Sequence, residues 1–524
     1  MGRATGGAPL AVDLQRCLIP FISLCSCRRR PCWRSPPARA CYTCWHAPSA
    51  GLTDAAGPDS RAPASLSSLR LTPLTRREFA ATLAGATLAA GVAWARTPRA
   101  RPAPSPAQLA WQREELSCFL HFGVNSFTDR EWGDGTEAAR SFAPGRLDAR
   151  QWARAARAAG FRAMILTAKH HDGFCLWPSG VTDHSVAKSS WRSGAGDVVG
   201  EFTDACRAEG LRAGLYLSPW DRNAAVYGTP RYNDFYCDQL AELLTRYGRI
   251  TEVWFDGANG EGPNGRRQAY DWPRIFATVR RLQPDAVIFS DAGPDVRWIG
   301  NETGSAGDPN WSTMDPAVVP APGVWSEAIG RALQHGDPAG SVWRPGETDT
   351  SIRPGWFHHP AEDDKVKSVA ALTEIYFNSV GRNSKLLLNV PPTRDGVLHA
   401  NDVARLASWH DRLAALFAED FAAGRRPTQH ITSPRSAVVE VDLGRRVTAG
   451  LVRLEEDIAH GQRVARYAVL GAGESGAWTE LVRGETIGYR KLDRFAPASV
   501  RRLRVVVEDA VVAPRPLAIG VYAG

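Results

Sequence analysis

Past residue 110, short apolar runs that end in polar residues alternate with stretches of helical periodicity. Stretches such as LDARQWARAARAAG and DFYCDQLAELLTRYG place apolar side chains at helical spacing and end in glycine shortly before the next apolar run. This alternation is typical of repeated β-α units. The pattern predicts strands over residues 116–122, 162–168, 212–218, 250–255, 286–290, 297–300 and 385–390.

Strands of this apolar character, covered on both sides by helices, are typical of parallel sheets. About seven or eight of them over roughly 300 residues predict a TIM-like (β/α) barrel, which we place at residues 108–425. An open doubly wound sheet is the alternative. It is disfavoured because no GxGxxG or GxxxxGK[ST] loop follows the first strand.

From about residue 430 the pattern changes to short alternating runs such as AVVEVDL and RRLRVVVED. Alternation with a period of two predicts strands with one buried face. Residues 430–524 are therefore expected to form an antiparallel β-sandwich domain. Such a domain could dock on the barrel or bind carbohydrate, and docking is the preferred hypothesis.

The N-terminal region differs from both of these segments. The arginine pair at 76–77 precedes an Ala- and Gly-rich apolar run and an AWA exit, which is the order of a twin-arginine-like export signal. The run is too short and too weakly apolar for a stable membrane span. We predict a disordered extension over residues 1–70, which we interpret as a misassigned start, a signal peptide over 71–95 and a linker over 96–107. A periplasmic or secreted bacterial protein is expected.

The formal net charge of +8 would suggest a polyanionic partner if it were spread over the chain. The first 100 residues contain 13 arginines and four acidic residues, which leaves 50 basic and 51 acidic residues in the remainder. The part that is expected to fold is therefore near neutral. No nucleic-acid partner is predicted.

The cysteines and histidines predict no metal site. Six of the ten cysteines lie in the first 44 residues, where the CYTC pair has no second CxxC or HxxxH pair at metal spacing. His170 and His171 are adjacent, and neighbouring strand residues point to opposite faces, so joint ligation of a metal is not expected. The remaining cysteines are expected to be buried thiols, at positions Cys118, Cys175, Cys206 and Cys237.

Polar residues follow the predicted strands, and in (β/α) barrels the reactive groups lie at those strand ends. The residues concerned are His121, the KHHD segment 169–172, Tyr216, Asp256, Asp291 and Glu302. Imidazoles can both donate and accept hydrogen bonds, which suits a polyhydroxylated ligand. Trp132, next to Glu131, offers an aromatic plane for the C–H face of a sugar. These residues are expected to converge on one mouth.

Hydrolysis of a glycosidic bond needs two carboxyl groups, about 5 to 5.5 Å apart when configuration is retained. Asp256, at the end of the WFDG run, supplies one. The other must have a raised pKa to protonate the leaving oxygen, and the candidates are Glu302, Glu327 and Glu347. Glu302 has a strand-end setting, Glu327 is expected on a surface helix, and Glu347 is the main competitor. No GxSxG elbow or Cys/His nucleophile signature offers another mechanism.

Five sequence blocks carry a family resemblance: HFG with EWG, KHHDGF, WFDG, DAGPDVRWIGNETG and WRPGETDTSIRPGWF. Over roughly residues 108–524 the chain resembles glycoside hydrolase family 29, the α-L-fucosidases. The resemblance implies a retaining exo-acting hydrolase that removes terminal α-L-fucose and needs no metal or other cofactor. It implies a fucosylated glycan as the partner, while nothing in the sequence specifies an oligomeric state.

The resemblance also implies roles for individual residues. Asp256 would be the nucleophile, and Trp356 would border the pocket. The RWIGNE block is similar to the subgroup that prefers α-1,3- and α-1,4-linked fucose, which nominates Glu302 as the acid/base. The sugar would be contacted by His121, Glu131, Trp132, His170, His171 and Tyr216.

Two other hypotheses stay open at this point. One is a non-catalytic fucose-binding protein built on the same pocket, which the presence of both carboxyl groups argues against. The other is a hydrolase that accepts α-L-galactosides, because discrimination depends on the space around the C5 substituent of the sugar.

Overall fold

The structure is a computed structural model, and it describes residues 101–524 of the chain. The predicted extension over residues 1–70 and the predicted signal peptide over 71–95 lie outside the described residues. Among residues 101–524, no helix is both long and apolar enough to cross a membrane.

Eight parallel strands form a closed barrel, which confirms the predicted TIM-like fold class. Their bounds are β1 Leu116–Leu120, β2 Ala163–Lys169, β3 Arg212–Leu217, β4 Glu252–Trp254, β5 Val287–Ser290, β6 Val296–Trp298, β9 Gly346–Ser351 and β10 Lys385–Asn389. A separate two-stranded sheet consists of β7 (Thr313–Met314) and β8 (Val342–Trp343). Around the barrel the order is β1-β10-β9-β6-β5-β4-β3-β2.

Helices connect the strands, and several begin at a side chain that caps the first turn. Asp148, Asp197 and Asp271 each accept a hydrogen bond from a backbone amide of the helix that follows. The helices are α1 Pro106–Gln112, α2 Asn125–Thr128, α3 Ala149–Ala158, α4 Val198–Glu209, α5 Arg231–Arg246, α6 Trp272–Leu282, α7 Glu327–His335, α8 Val369–Asn378 and α9 Ala400–Leu416.

Side chains on the barrel strands alternate between two apolar layers. Phe119, Ile165 and Trp254 belong to the layer inside the barrel. Cys118 and Met164, on the same strands, pack in the layer shared with the helices. Because both faces are buried, the strands appear in the sequence as nearly continuous apolar runs. The four predicted thiols are free and buried, as expected.

Strand β9, with the sequence GETDTS, was not predicted. It completes the barrel between β6 and β10, and all six of its residues are buried. Its side chains are polar because this part of the barrel encloses carboxyl groups: Glu347 and Asp349 are almost fully buried. An apolar pattern could not reveal such a strand.

A buried lysine neutralises a cluster of carboxyl groups inside the barrel. Lys385 Nζ lies 2.7 Å from Glu114 Oε2, 3.1 Å from Glu252 Oε2 and 3.8 Å from Glu347 Oε2. Burial lowers the pKa of Lys385, but the three carboxyl groups outweigh it and raise the pKa. Burial, followed by the charge of Glu252, raises the pKa of Glu347 well above its ordinary value. The cluster therefore places one ammonium group among three buried carboxyl groups.

A six-stranded antiparallel sheet forms the C-terminal domain, as predicted. Its strands are β11 Thr428–Ser433, β12 Ser436–Glu456, β13 Val464–Ala472, β14 Trp478–Glu485, β15 Lys491–Ala510 and β16 Leu517–Tyr522. The long strand β12 pairs with β11 near its start and with β16 near its end. Both halves contribute to one apolar core, with Val439 from the first and Leu454 from the second.

The C-terminal domain docks on the barrel through buried polar contacts. Gln462 donates to the Asn310 carbonyl at 3.0 Å and accepts from the Asn383 side chain at 3.3 Å. The Tyr489 hydroxyl donates to Glu115 Oε1 at 2.7 Å. Arg101, in the segment predicted as a linker, donates to the Gln462 carbonyl at 2.9 Å, so the described end of that segment is held against the fold.

We expect Lys385→Met to destabilise the protein by about 3 kcal/mol or more, because it leaves buried carboxyl groups without their counter-charge. Denaturant unfolding measures the change. The control is Lys188→Met, which removes an ion pair with Asp183 whose two side chains are 59% and 91% exposed. The control should change stability by less than about 1 kcal/mol. Equal unfolding midpoints for the two variants would contradict the role of Lys385.

Candidate active site

Asp256 lies just past the end of β4, at the mouth of the barrel. The Tyr216 hydroxyl donates to Asp256 Oδ2 at 3.2 Å, and the Ala258 amide donates to Oδ1 at 2.7 Å. The Asp256 side chain is 22% exposed. The two donors therefore fix the orientation of the carboxylate while part of it stays open to a ligand.

Glu302 lies in the loop after β6. Burial and the negative charge of Asp256 raise the pKa of Glu302 to about 7, while a hydrogen bond donated by the Trp356 side chain lowers it. The two carboxyl groups thus interact electrostatically. A carboxyl group that keeps its proton near neutral pH can serve as a general acid.

Two further carboxyl groups lie near this pair. Asp349, on β9, accepts a hydrogen bond from Trp298 Nε1 at 2.8 Å. Burial, and after it the charge of Glu302, raises the pKa of Asp349 well above its ordinary value. Asp291, after β5, accepts from the Gly323 amide at 2.8 Å, and burial raises its pKa to about 6. The sequence pattern indicated Asp291 as a strand-end residue. It missed Asp349 because β9 was not recognised.

His121 is held by Asn389, a residue that the sequence analysis missed. Asn389 Oδ1 accepts from the His121 amide at 3.2 Å and lies 2.9 Å from His121 Nδ1, while Asn389 Nδ2 donates to the Trp356 carbonyl at 2.8 Å. An amide oxygen only accepts, so His121 Nδ1 carries the proton and Nε2 can accept a hydrogen bond from a ligand. Burial lowers the pKa of His121 to about 4, so the ring is neutral. The available signal was an asparagine at the end of the KLLLN strand.

His171 has the same tautomer through a different partner. The Ser218 hydroxyl donates to the Trp220 carbonyl at 2.7 Å, so it accepts from His171 Nδ1, also at 2.7 Å. His171 Nε2 lies 3.9 Å from Asp256 Oδ2. Burial lowers the pKa of His171. A neutral His171 therefore presents an acceptor next to the Asp256 carboxylate.

His170 lies beside His171, with ring centroids 4.1 Å apart. The expectation that the two side chains point to opposite faces was wrong, because β2 ends at Lys169 and strand alternation does not continue past it. The His170 ring stacks on Tyr216 at 5.8 Å and lies 5.6 Å from His121. Burial lowers the pKa of His170 well below its ordinary value.

The rest of the KHHD segment holds the loop in place. Lys169 Nζ forms a buried ion pair with Asp221 at 3.0 Å. Asp172 accepts from the Phe174 amide at 2.7 Å and from Asn125 Nδ2 at 3.1 Å. The two charged residues of this segment are thus structural, and the two histidines face the cluster around Asp256.

Aromatic rings line the cluster on several sides. Trp254 stacks on Phe289 with centroids 4.2 Å apart and an interplanar angle of 10°. The Trp356 ring lies 5.0 Å from His121. Trp132 is 54% exposed and packs edge-on against His171 at 5.6 Å. The site therefore combines flat apolar surfaces with hydrogen-bonding groups, as a sugar ring requires.

Glu131 binds protein groups with both of its carboxylate oxygens. The Trp356 amide donates to Oε2 at 2.8 Å, and the Phe357 amide donates to Oε1 at 3.0 Å. His359 Nε2 lies 2.7 Å from Oε1. Burial raises the pKa of Glu131, but these hydrogen bonds outweigh it and lower the pKa. Glu131 braces the loop that carries Trp356, and a sugar contact for it stays a prediction.

The two competing glutamates lie apart from Asp256. Glu347 is fully buried inside the barrel, where it accepts from Trp254 Nε1 at 3.0 Å. Glu327 begins helix α7, and its side chain is 94% exposed. The charge of Asp256 raises the pKa of Glu302, so these two carboxyl groups are within electrostatic reach of each other.

The structure brings the nine predicted site residues into one connected cluster at the barrel mouth. Its members are Asp256, Glu302, His121, Glu131, Trp132, His170, His171, Tyr216 and Trp356. Within residues 101–524, no group of three or more His, Cys, Asp or Glu is arranged to hold a metal ion. The arrangement can hold a polyhydroxylated ring between aromatic faces and present it to two carboxyl groups.

Comparisons with known proteins agree with this chemistry. A family model described as alpha-L-fucosidase matches residues 99–411. Alpha-L-fucosidase 1 of Arabidopsis thaliana is 41% identical over 456 residues, which cover 80% of this chain and 87% of the relative.

Two solved structures share the fold. A glycoside hydrolase 29 family member from an unknown rumen bacterium is 41% identical, with a TM-score of 0.74 and coverage of 81% of this chain and 77% of that chain. A GH29 fucosidase of Ruminococcus gnavus, solved in complex with fucose, is 32% identical, with a TM-score of 0.71 and coverage of 81% and 95%. From the extent of the family match and the 41% identity over four fifths of its length, the chain belongs to glycoside hydrolase family 29, the α-L-fucosidases.

Proposed function

We propose that this α-L-fucosidase is a retaining exo-acting enzyme that releases terminal α-L-fucose from oligosaccharides or glycoconjugates, with Asp256 as nucleophile and Glu302 as acid/base. The observation that carries the proposal is the arrangement of two carboxyl groups at the barrel mouth. Tyr216 and Ala258 orient Asp256, and the charge of Asp256 helps Glu302 to keep a proton near pH 7.

In the first step, a carboxylate oxygen of Asp256 attacks the anomeric carbon of fucose. The bond between that carbon and the leaving oxygen breaks, and Glu302 transfers its proton to this oxygen. In the second step, the ionised Glu302 removes a proton from water, the water oxygen attacks the anomeric carbon, and Asp256 is released. Two displacements return the anomeric configuration to that of the substrate.

Formation of the glycosyl ester on Asp256 prepares Glu302 for its second role. In the free enzyme, the charge of Asp256 raises the pKa of Glu302. The ester has no charge, so this contribution disappears and the pKa of Glu302 falls. Glu302 thus changes from an acid to a base without moving.

The residues around the pair support a sugar as the ligand. His121 and His171 are neutral and expose Nε2 as an acceptor for hydroxyl groups. Trp356 and Trp132 provide aromatic faces. The Ruminococcus gnavus relative was solved with fucose, which supports fucose as the sugar in this pocket.

We further propose a preference for α-1,3- and α-1,4-linked fucose and export through a twin-arginine signal. The linkage proposal is supported by the RWIGNE block, which ends in Glu302. The export proposal is supported by the arginine pair at 76–77 and the small-residue exit at 93–95.

Asp256→Ala should lower kcat on an aryl α-L-fucoside by at least about 10³-fold, because no nucleophile remains to form the glycosyl ester. Asp411→Ala, which removes an exposed carboxyl group from α9, is the matched control and should keep wild-type activity. Circular dichroism should show that both variants are folded. Wild-type turnover by Asp256→Ala would remove Asp256 from the mechanism, and β-L-fucose as the first product by NMR would exclude retention.

The pH profile should report Glu302. Its protonated form acts in the first step, and its pKa is about 7, so kcat/KM should fall as pH rises through 7 and be about tenfold below its plateau at pH 8. Glu302→Gln should abolish this alkaline limb. Glu327→Gln, at an exposed glutamate, is the control and should leave the profile unchanged. An unaltered limb in Glu302→Gln would assign the acid to another group.

On a panel of oligosaccharides, kcat/KM should be at least about tenfold higher for branched α-1,3- and α-1,4-fucosides than for α-1,2-linked ones. A factor of ten corresponds to about 1.4 kcal/mol of differential transition-state binding. Released fucose is the readout. Equal rates on all linkages would reject the linkage proposal and leave the fucosidase mechanism intact.

A further inference from the structure

We propose that His359 is a positioning residue for the acid/base: held as a cation between Asp129 and Glu131, it fixes the loop that carries Trp356, and Trp356 orients Glu302. This inference rests on the proposed role of Glu302. Glu302 alone transfers the proton, and His359 acts only through the position of Trp356.

Both ring nitrogens of His359 face carboxylate oxygens. Nδ1 lies 2.7 Å from Asp129 Oδ1, and Nε2 lies 2.7 Å from Glu131 Oε1. A carboxylate only accepts, so each nitrogen must donate, and an imidazole donates from both nitrogens only when it is charged. The hydrogen bond to Glu131, above all, raises the pKa of His359 to about 9, although burial opposes it. The side chain is therefore a cation at neutral pH.

Glu131 transmits this arrangement to the loop. Its two carboxylate oxygens accept hydrogen bonds from the backbone amides of Trp356 and Phe357, so Glu131 fixes this part of the loop backbone. Gly355 permits the close approach, because a Cβ atom there would lie 2.6 Å from Glu131 Oε1. Without the His359 cation, Glu131 would keep its hydrogen bonds to the two loop amides. It would lose the charge-assisted hydrogen bond that sets the position of its own carboxylate.

Trp356 completes the path to the reacting groups. A hydrogen bond from its side chain opposes the rise in the pKa of Glu302, and its ring lies 5.0 Å from His121. On the opposite side of the loop, Asn389 binds the Trp356 carbonyl. A Glu131 carboxylate that has lost the His359 bond can shift together with the two amides that it holds. Trp356 then moves and the proton of Glu302 is misdirected, while Asp256 keeps its own two donors.

The leaving group of the substrate separates proton transfer from the rest of catalysis. A 2-chloro-4-nitrophenyl α-L-fucoside leaves as a stabilised phenolate and needs little help from an acid, whereas a fucosylated oligosaccharide leaves as an alcohol and needs the proton. Measurement of kcat/KM reports only the steps up to formation of the glycosyl ester. A defect in the orientation of Glu302 should therefore appear on the oligosaccharide and spare the aryl fucoside.

His359→Gln removes the cation and keeps one side-chain donor. We expect kcat/KM to fall at least about tenfold on the oligosaccharide and less than about threefold on the aryl fucoside. His410→Gln, at an exposed histidine on α9, is the matched control and should change neither value. Asp129→Asn keeps the shape of the side chain that contacts His359 and removes its charge. It should show the same pattern with a smaller fall, and it keeps the proposal testable if His359→Gln does not fold.

An equal fall on both substrates would show that His359 only supports the fold of the pocket, and no fall on the oligosaccharide would show that Trp356 needs no such anchor. Either result overturns the positioning role. A wild-type enzyme that cleaves neither substrate would instead overturn the proposed function itself. The two failures are therefore distinguishable.

Discussion

The burial of carboxyl groups inside a closed barrel is the constraint on which the rest of this structure depends. A carboxyl group that leaves water must be paired with a cation, be hydrogen-bonded or keep its proton. In the barrel interior, Lys385 is the cation that pairs with Glu114, Glu252 and Glu347. At the mouth, the same physics raises the pKa of Glu302 and supplies the protonated group that glycoside hydrolysis needs.

Trp254 connects these two regions. Its indole N–H is bound by Glu347 in the interior cluster, and its ring packs 5.2 Å from Tyr216, which in turn binds Asp256. The interior ion cluster thus supports the floor of the pocket. Glu347 therefore has a structural role, which fits its full burial. Its contacts with Trp254 and Lys385 hold it in the barrel interior, away from the mouth.

The loops at the mouth are held by side chains that bind backbone groups. Asn389 binds the His121 amide and the Trp356 carbonyl, and Glu131 binds the amides of Trp356 and Phe357. Such contacts restrict the loop backbone, while leaving the loop side chains free for a ligand. A rigid frame of this kind allows an exposed loop to hold a catalytic group in place.

The amino-acid sequence by itself determined the β-α alternation, the antiparallel C-terminal domain and most of the polar residues at the strand ends. These features follow from local periodicity, which neighbouring residues set among themselves. Only the tertiary structure decided that GETDTS is a barrel strand, that His170 and His171 lie side by side, and that Glu131 binds a loop more than 200 residues further along the chain. Each of these depends on partners that the closed barrel brings together, and their burial and charge are properties of the folded chain alone.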